Sequence, residues 1–333
     1  MKNKYRCLFF AIAVVFFSCD TPPEEKKEAI KRETPVAVNK IPTPDFNADS
    51  AYVYIQNQVD FGPRVPNSKA HAECAEFLAA KLRSFNLDVT IQEGEVIAFD
   101  NNILKLKNII AAYKPELDKR ILLFAHWDTR PFADKDTKDQ NKPIDGANDG
   151  GSGVGVLFEI ARQLSLFPPN IGVDIILFDA EDYGQPEGTM MQRKPDTWCL
   201  GSQFWAKNPH RENYSARYGI LLDMVGAKNA TFTMEGTSMQ YAPFVVKKVW
   251  GAAEKLGYSE YFINKKTDGI TDDHFYVNTI AGIPSIDIIQ YDPSTPSSFG
   301  TYHHTHRDNM DIIDKNTLKA VGQTLLEVIY AEN

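Results

Sequence analysis

Residues 173–182 read Val-Asp-Ile-Ile-Leu-Phe-Asp-Ala-Glu-Asp, an apolar run that leads directly into Asp179, Glu181 and Asp182. An apolar run of this length, without the alternation of a half-buried strand, is typical of a strand covered on both faces. The preceding segment, Gly153 to Leu166, has apolar residues at helical spacing. A helix followed by a buried strand indicates an α/β unit.

The same alternation continues along the chain on both sides of this segment. Further strands are predicted at Ile121–Ala125, Tyr218–Leu222 and Ile283–Ile289, and further helices at Ala70–Ser84, Pro243–Leu256 and Lys315–Ala331. Strands that alternate with helices predict a single α/β domain, with a mixed, mostly parallel sheet flanked by helices.

The composition fits this class. The 333 residues are 43% hydrophobic and 24% charged, and the formal net charge is −8. A chain of this length predicts one large domain or at most two small ones. Acidic and basic residues are interleaved, whereas nucleic-acid-binding proteins concentrate Lys and Arg on one face. We therefore expect no nucleic-acid partner.

The N-terminus has the organisation of an export signal. Basic residues at positions 2, 4 and 6 precede an apolar run from Leu8 to Phe17, which ends at Ser18 and Cys19. This arrangement resembles the bacterial lipoprotein signal, in which the Cys becomes lipidated; an ordinary secretory signal is the alternative. We interpret residues 1–18 as the signal peptide.

The next segment, residues 19–45, is rich in Pro, Glu, Lys and Thr and is interpreted as a disordered linker. The folded domain is then 46–333. The protein is expected to be exported and membrane-anchored, facing the periplasm or the cell surface, and to contact the membrane only through a lipid on Cys19. We expect a monomer.

Two cysteines, Cys74 and Cys199, fall in the folded domain. The favoured interpretation is two buried free thiols, although pairing in an oxidising compartment is left open. The sequence has no CxxC motif, so a thiolate zinc site is not expected.

Ligand-type side chains follow three of the predicted strands. His126 and Asp128 follow the first, Asp179 to Asp182 the second, and Asp223 the third. Ligands of open α/β sheets bind beyond the carboxyl ends of the strands. Three such ends predict a functional site rather than unrelated turn residues.

Other motifs complete an ordered series. Gly146-Ala-Asn-Asp149-Gly-Gly-Ser-Gly153 opens a helix, and Thr271-Asp272-Asp273-His274 and His303-His304-Thr305 follow later. With the strand-end residues, this order resembles the co-catalytic zinc aminopeptidases and, more closely, their relatives the glutaminyl cyclases. The resemblance runs from about Phe46 to the C-terminus and implies a zinc-exopeptidase-like α/β/α fold.

The resemblance also implies roles. Asp149, Asp182 and His304 match the family's metal ligands, and Glu181 matches its general base. Oxygen and nitrogen donors with one open position suit a catalytic zinc.

The aminopeptidases hold a second zinc through residues that match His126 and Asp223, so the ligands do not identify the family member. Cyclases carry an acid at the position of Asp272, against the acid that matches Asp223. Two carboxylates in contact share a proton, which would make Asp223 a poor ligand and leave one zinc. A turn residue is the alternative interpretation of Asp272.

A cyclase of this kind converts the N-terminal glutamine of a peptide into pyroglutamate and releases ammonia. The resemblance implies that zinc polarises the side-chain amide, that Glu181 transfers protons, and that Asp223 and Asp272 orient the substrate. The alternatives are a di-zinc aminopeptidase and a silent binding protein with the same scaffold.

Two positions depart from the family pattern. Asp182 stands where animal cyclases commonly have Glu, and His303 stands where cyclases usually have Trp, which makes His303 a competing ligand. Trp127, Tyr183 and Trp198 are aromatic candidates for the pocket, although each taken singly is a typical packing residue.

Overall fold

The structure is a computed structural model that describes residues 1, 8–18, 41–186 and 192–332. It divides into two units, residues 1–39 and residues 40–333. In the first unit the described residues 8–18 have no regular secondary structure, and their large apolar side chains are exposed. No helix within the described ranges is long and apolar enough to cross a membrane. Cys19, the predicted lipid site, lies outside those ranges.

The second unit contains helices and strands in alternation, as predicted. The helices are α1 (Ala48–Val59), α2 (Lys69–Ser84), α3 (Gly151–Leu166), α4 (Leu200–Lys207), α5 (Gly236–Tyr241), α6 (Pro243–Lys255), α7 (Asp273–Thr279) and α8 (Lys315–Ala331). The strands are β1 (Asp88–Ile97), β2 (Ile103–Tyr113), β3 (Arg120–His126), β4 (Gly172–Phe178), β5 (Gly219–Asp223), β6 (Phe232–Met234), β7 (Phe262–Lys266) and β8 (Ser285–Ile289).

Six strands form the main sheet in the order β1-β2-β4-β3-β5-β8. Strands β4, β3, β5 and β8 are parallel, whereas β2 pairs antiparallel with both β1 and β4. The mixed, mostly parallel sheet is therefore confirmed. The sequence analysis did not predict the β1–β2 hairpin; β1 alternates between exposed and half-buried residues and so has no apolar run.

The parallel strands are buried on both faces, because their successive side chains enter two separate cores. Leu123, on one face, lies in the larger core with residues of α2, α3 and α8. Its neighbour Leu122 lies in a smaller core with Trp205 of α4 and Val277 of α7. Helices on both faces explain why these strands are continuous apolar runs.

The packed domain begins earlier than residue 46. Pro44 is buried, Ile41 packs on the main core, and the hydroxyl of Thr43 donates to Glu327 at 2.7 Å. Residues 41–45 were assigned to the linker because their composition is polar and Pro-rich, and the anchoring partners on α8 are distant in sequence.

Gly153 allows α3 to lie close to the sheet. A β-carbon at this position would overlap the carbonyl oxygen of Leu222 and lie 2.8 Å from the β-carbon of Ala125. We expect Gly153→Ala to lower the free energy of unfolding by about 1–3 kcal/mol, because backbone cannot yield as a flexible side chain can. Urea denaturation measures the change.

The control is Gly251→Ala in α6, where no atom lies within 4 Å of the added carbon. It should stabilise the protein by about 0.5–1 kcal/mol, since alanine loses less backbone entropy than glycine in a helix. Equal stability of the two variants would contradict the close-packing argument.

Candidate metal centre and active site

The carboxyl ends of β3, β4 and β5 bring the predicted residues together. His126 ends β3 and pairs in register with Phe178 at the end of β4, and Asp223 ends β5. A cavity of about 830 Å³ opens at this edge. Five of the six predicted site residues line it, namely Asp149, Glu181, Asp223, Asp272 and His304.

The sixth residue, Asp182, lies beneath His304 and is buried. Nε2 of His304 is 3.3 Å from Oδ1 of Asp182 and 3.7 Å from Oδ2 of Asp149. Donor atoms bound to a tetrahedral zinc at about 2.0–2.1 Å lie roughly 3.3 Å apart. The two distances suit a metal ion that His304 shares with either aspartate, whereas the group whose ligand atoms all lie within 4.8 Å of one another is Asp149, His303 and His304.

The hydrogen bonding of these ligands points the same way. Both carboxylate oxygens of Asp182 and Oδ2 of Asp149 are buried and accept no hydrogen bond. Buried carboxylate oxygens without a partner are costly, and a cation between them would remove that cost. The donor set therefore fits zinc.

His303 is the competing ligand, since its Nε2 lies 3.9 Å from the same oxygen of Asp149. However, its Nδ1 is 2.9 Å from the ammonium of Lys135. A charged lysine can only donate, so Nδ1 is the acceptor and Nε2 of the neutral ring carries the proton. A protonated nitrogen cannot bind metal, and this geometry favours His304.

A second cluster of potential ligands adjoins the first. Nε2 of His126 lies 3.1 Å from Oδ1 of Asp149 and 3.2 Å from Oδ1 of Asp223. The three residues could hold a metal. Burial raises the pKa of Asp223 to about 7, with Asp149 and Asp272 adding to the increase and His126 opposing it.

Two further acids, whose roles the sequence analysis missed, orient the ligand-bearing backbone. The peptide N–H groups of Glu181 and Asp182 donate to the carboxylate of Asp128 at 3.0 and 3.2 Å. Those of Asn148 and Asp149 donate to Asp308 at 2.7 and 3.1 Å. The sequence contained an indication of the role of Asp128, which lies two residues after His126. It contained none that was used for Asp308.

Arg130 contacts the backbone of one proposed ligand and the carboxylate of Asp134. Its buried guanidinium forms two hydrogen bonds to Asp134, at 2.6 and 2.9 Å, and donates to the carbonyl of Asp182 at 2.9 Å. Burial acts to raise the pKa of Asp134, but the guanidinium of Arg130 outweighs it and holds that pKa below its usual value. Asp134 lies 3.6 Å from Nδ1 of His304, on the side away from the proposed ligand atom.

Of the three aromatic candidates, only Trp198 lines the cavity. Its ring stacks on His304 at 5.7 Å with an interplanar angle of 7°, and Arg130 lies 4.5 Å from its centre. Trp127 instead stacks on His71, and Tyr183 packs against Phe99.

Glu181 lies at the cavity in surroundings that suit a proton acceptor. Burial raises the pKa of its carboxyl well above the ordinary value, and Asp272 and Asp182 add to the increase while His126 opposes it. A base with a raised pKa takes up a proton more readily. Asp272 lies near enough to Glu181 and Cys199 that their polar atoms are all within 4.8 Å of one another.

On its other side Asp272 adjoins Asp287 and His274, again within 4.8 Å. Nε2 of His274 is 3.0 Å from Oε1 of Glu235. The carboxylates of both Glu181 and Asp287 thus lie close to that of Asp272, and the Asp223–Asp272 dyad stays a prediction. Sequence reasoning missed Asp287, although a lone acid within a buried strand is a signal.

Among the described residues, five at or beside the cavity have left-handed backbone: Ala180 (φ 51°), Asp196 (52°), Cys199 (57°), Met224 (48°) and His304 (56°). Non-glycine residues rarely adopt this conformation, and they retain it where surrounding structure holds them. Such residues cluster at functional sites.

The fold and the donor set define the class: an α/β protein with a candidate metal centre at the carboxyl ends of its parallel strands. The model of Peptidase family M28 matches residues 108–329. The chain belongs to Peptidase family M28 and is an enzyme of that family.

Two solved structures are close to this one. A glutaminyl cyclase from Tannerella forsythia is 58% identical, with a TM-score of 0.85, over 87% of this chain and 100% of that one. A leucine aminopeptidase precursor from Bacteroides thetaiotaomicron is 56% identical, also with a TM-score of 0.85, over 88% and 100%.

Among curated relatives, aminopeptidase YwaD of Bacillus subtilis is 29% identical over 254 residues. The match covers 72% of this chain but 49% of that protein's length. Cyclases and peptidases are thus similar to this chain to nearly the same degree, and similarity alone does not separate the two activities.

Proposed function

We propose that this protein is a glutaminyl-peptide cyclotransferase, which converts N-terminal glutamine of peptides and proteins to pyroglutamate and releases ammonia. One zinc would be held by Asp149, Asp182 and His304. The catalytic residues would be Glu181, Asp223 and Asp272.

The observation that carries the proposal is the position of Asp272 beside Glu181 at the cavity. Cyclisation must move a proton from the α-amine of the substrate to the nitrogen of its side-chain amide. A peptidase needs one base to activate water, whereas cyclisation needs carboxylates that face both nitrogens. Glu181, Asp272 and Asp223, which all line the cavity, can supply them.

The chain's own residues would act as follows. Asp223 and Asp272 accept hydrogen bonds from the α-amine and the amide nitrogen and orient them. Glu181 removes one proton from the α-amine as its nitrogen attacks the amide carbon and a C–N bond forms. Glu181 then gives that proton to the amide nitrogen, whose bond to the same carbon breaks, so that ammonia leaves. When bound, zinc would supply Lewis-acid polarisation of the amide carbonyl.

A di-zinc aminopeptidase is the second candidate, and one observation favours it. His126, Asp149 and Asp223 have ligand atoms within 4.8 Å of one another. If a second zinc occupied this cluster, Glu181 would activate water for hydrolysis of the N-terminal residue.

One experiment separates the candidates. The protein is incubated with a Gln-initiated peptide and, in parallel, a Leu-initiated peptide, and products are analysed by mass spectrometry, ammonia assay and metal analysis. The expected result is a full-length product lighter by one ammonia from the Gln peptide only. Release of a free N-terminal amino acid would support the aminopeptidase, and no turnover of either peptide would support a silent binding protein.

The predicted anchor would place the enzyme on the outer side of a membrane, as a monomer acting on exported proteins with N-terminal glutamine. Radiolabelled palmitate should be incorporated into the wild type but not into Cys19→Ala.

In a strain lacking the gene, exported proteins should retain N-terminal glutamine. Unchanged pyroglutamate in that strain would argue against these substrates.

A further inference from the structure

Cys199 precedes α4 and lies directly against the proposed base. Its side chain is fully buried, and its sulfur is 3.1 Å from Oε1 of Glu181. The peptide N–H of Cys199 also donates to the carbonyl oxygen of Glu181 at 3.0 Å. One residue therefore contacts both the backbone and the carboxylate of Glu181.

The backbone conformation of Cys199 serves this contact. Its φ of 57° is left-handed, a conformation that residues other than Gly and Asn seldom adopt. The N–H of the next residue, Leu200, donates to the carbonyl of Ala180 at 3.1 Å. These two adjacent hydrogen bonds attach the start of α4 to the Ala180–Glu181 turn and hold the thiol at the carboxylate.

We propose that Cys199 is a positioning residue for catalysis, whose thiol donates a hydrogen bond to Oε1 of Glu181 and leaves the second carboxylate oxygen free for proton transfer. The inference rests on the proposed function, because it assumes that Glu181 is the base. Because its side chain is fully buried, Cys199 does not contact the substrate directly.

The thiol is the donor in this contact. Burial raises the pKa of Cys199 well above its usual value, and the nearby carboxylates of Glu181, Asp273 and Asp272 raise it further. The sulfur therefore keeps its proton, whereas a carboxylate can accept. A hydrogen bond to a charged partner is stronger than one between neutral groups.

The test compares Cys199→Ala with Cys199→Ser. Alanine removes the donor and should lower kcat about tenfold, with KM for a Gln-initiated peptide nearly unchanged. Serine keeps a donor and should recover most of kcat. The matched control is Cys74→Ala, which removes the second buried thiol of the described residues, on α2, and should leave kcat nearly unchanged because Cys74 does not line the cavity.

Two results would overturn the inference: Cys199→Ala with wild-type kcat, or Cys199→Ser as impaired as Cys199→Ala although both variants fold. Circular dichroism and thermal melts establish folding. If Cys199→Ala does not fold, the serine variant and an infrared measurement decide.

In that measurement the S–H stretch of Cys199, assigned by its loss in Cys199→Ser, should lie below that of Cys74 and rise in Glu181→Gln. An S–H stretch unaffected by Glu181→Gln would overturn the inference.

Failure of the proposed function can be distinguished from failure of this inference, because the wild type would then form no pyroglutamate. The same variants would be compared in hydrolysis of an N-terminal residue, where Glu181 is also the base, and a wild type inactive in both assays would overturn the inference as well.

Discussion

Glu181→Gln is expected to lower kcat for cyclisation by about 10²–10⁴-fold, the usual contribution of a positioned general acid or base. The amide has nearly the same shape as the carboxylate but cannot take up the proton from the α-amine. The backbone N–H of residue 181 should still donate to Asp128, so the adjacent ligand Asp182 should keep its position. Zinc content, measured by mass spectrometry of the dialysed protein, should equal that of wild type.

The matched control is Glu254→Gln on the exposed face of α6. This variant loses the same charge far from the cavity and should retain wild-type kcat, KM and zinc. If Glu181→Gln loses zinc, the roles of Glu181 and Asp182 have been exchanged. If it retains kcat, Glu181 is not the base.

His304→Ala is expected to abolish zinc binding and turnover together. Even residues that only support a metal ligand contribute roughly 10–100-fold to affinity, so loss of a ligand should cost more. Only Asp149 and Asp182 of the three proposed ligands would then remain to bind zinc. Equilibrium dialysis against a zinc buffer measures the affinity, and the Gln-peptide assay measures activity.

His306→Ala is the control, because His306 is partly exposed and hydrogen-bonds Asp136 at 3.0 Å rather than the proposed ligands. It should bind zinc as wild type does. Zinc at 100 times Kd should also raise the free energy of unfolding of the wild type by about 2.7 kcal/mol. It should not stabilise His304→Ala. If His303→Ala loses zinc while His304→Ala keeps it, the ligand has been assigned to the wrong histidine.

The fold could be predicted largely from the sequence because its signals are local. The apolar runs at β3, β4, β5 and β8 and the helical spacing of α2, α3, α6 and α8 each lie within one segment. Strand β1 was missed because a strand with one exposed face carries a weaker hydrophobic signal than a buried one, whereas the buried run 109–113 of β2 carried a signal that was not used.

Some residues of the candidate site could likewise be predicted from the sequence, and others could not. Asp149, Glu181, Asp223, Asp272 and His304 could be predicted because they lie in motifs that resemble those of a known family. Asp308 and the thiol of Cys199 could not be assigned a place, since their partners Asn148 and Glu181 lie 160 and 18 residues away, outside the local segment; Asp287 carried a signal that was not used.

The sequence was sufficient to predict the α/β class and to name the candidate metal ligands, because hydrophobic periodicity and motif order are properties of the chain's linear order. The contacts of each side chain depend instead on how distant strand ends converge. The folded chain shows that Lys135 contacts the ring of His303, that Asp287 adjoins Asp272, and that Cys199 meets Glu181. These contacts depend on distances of a few ångströms, and spacing along the sequence carries no information about such distances.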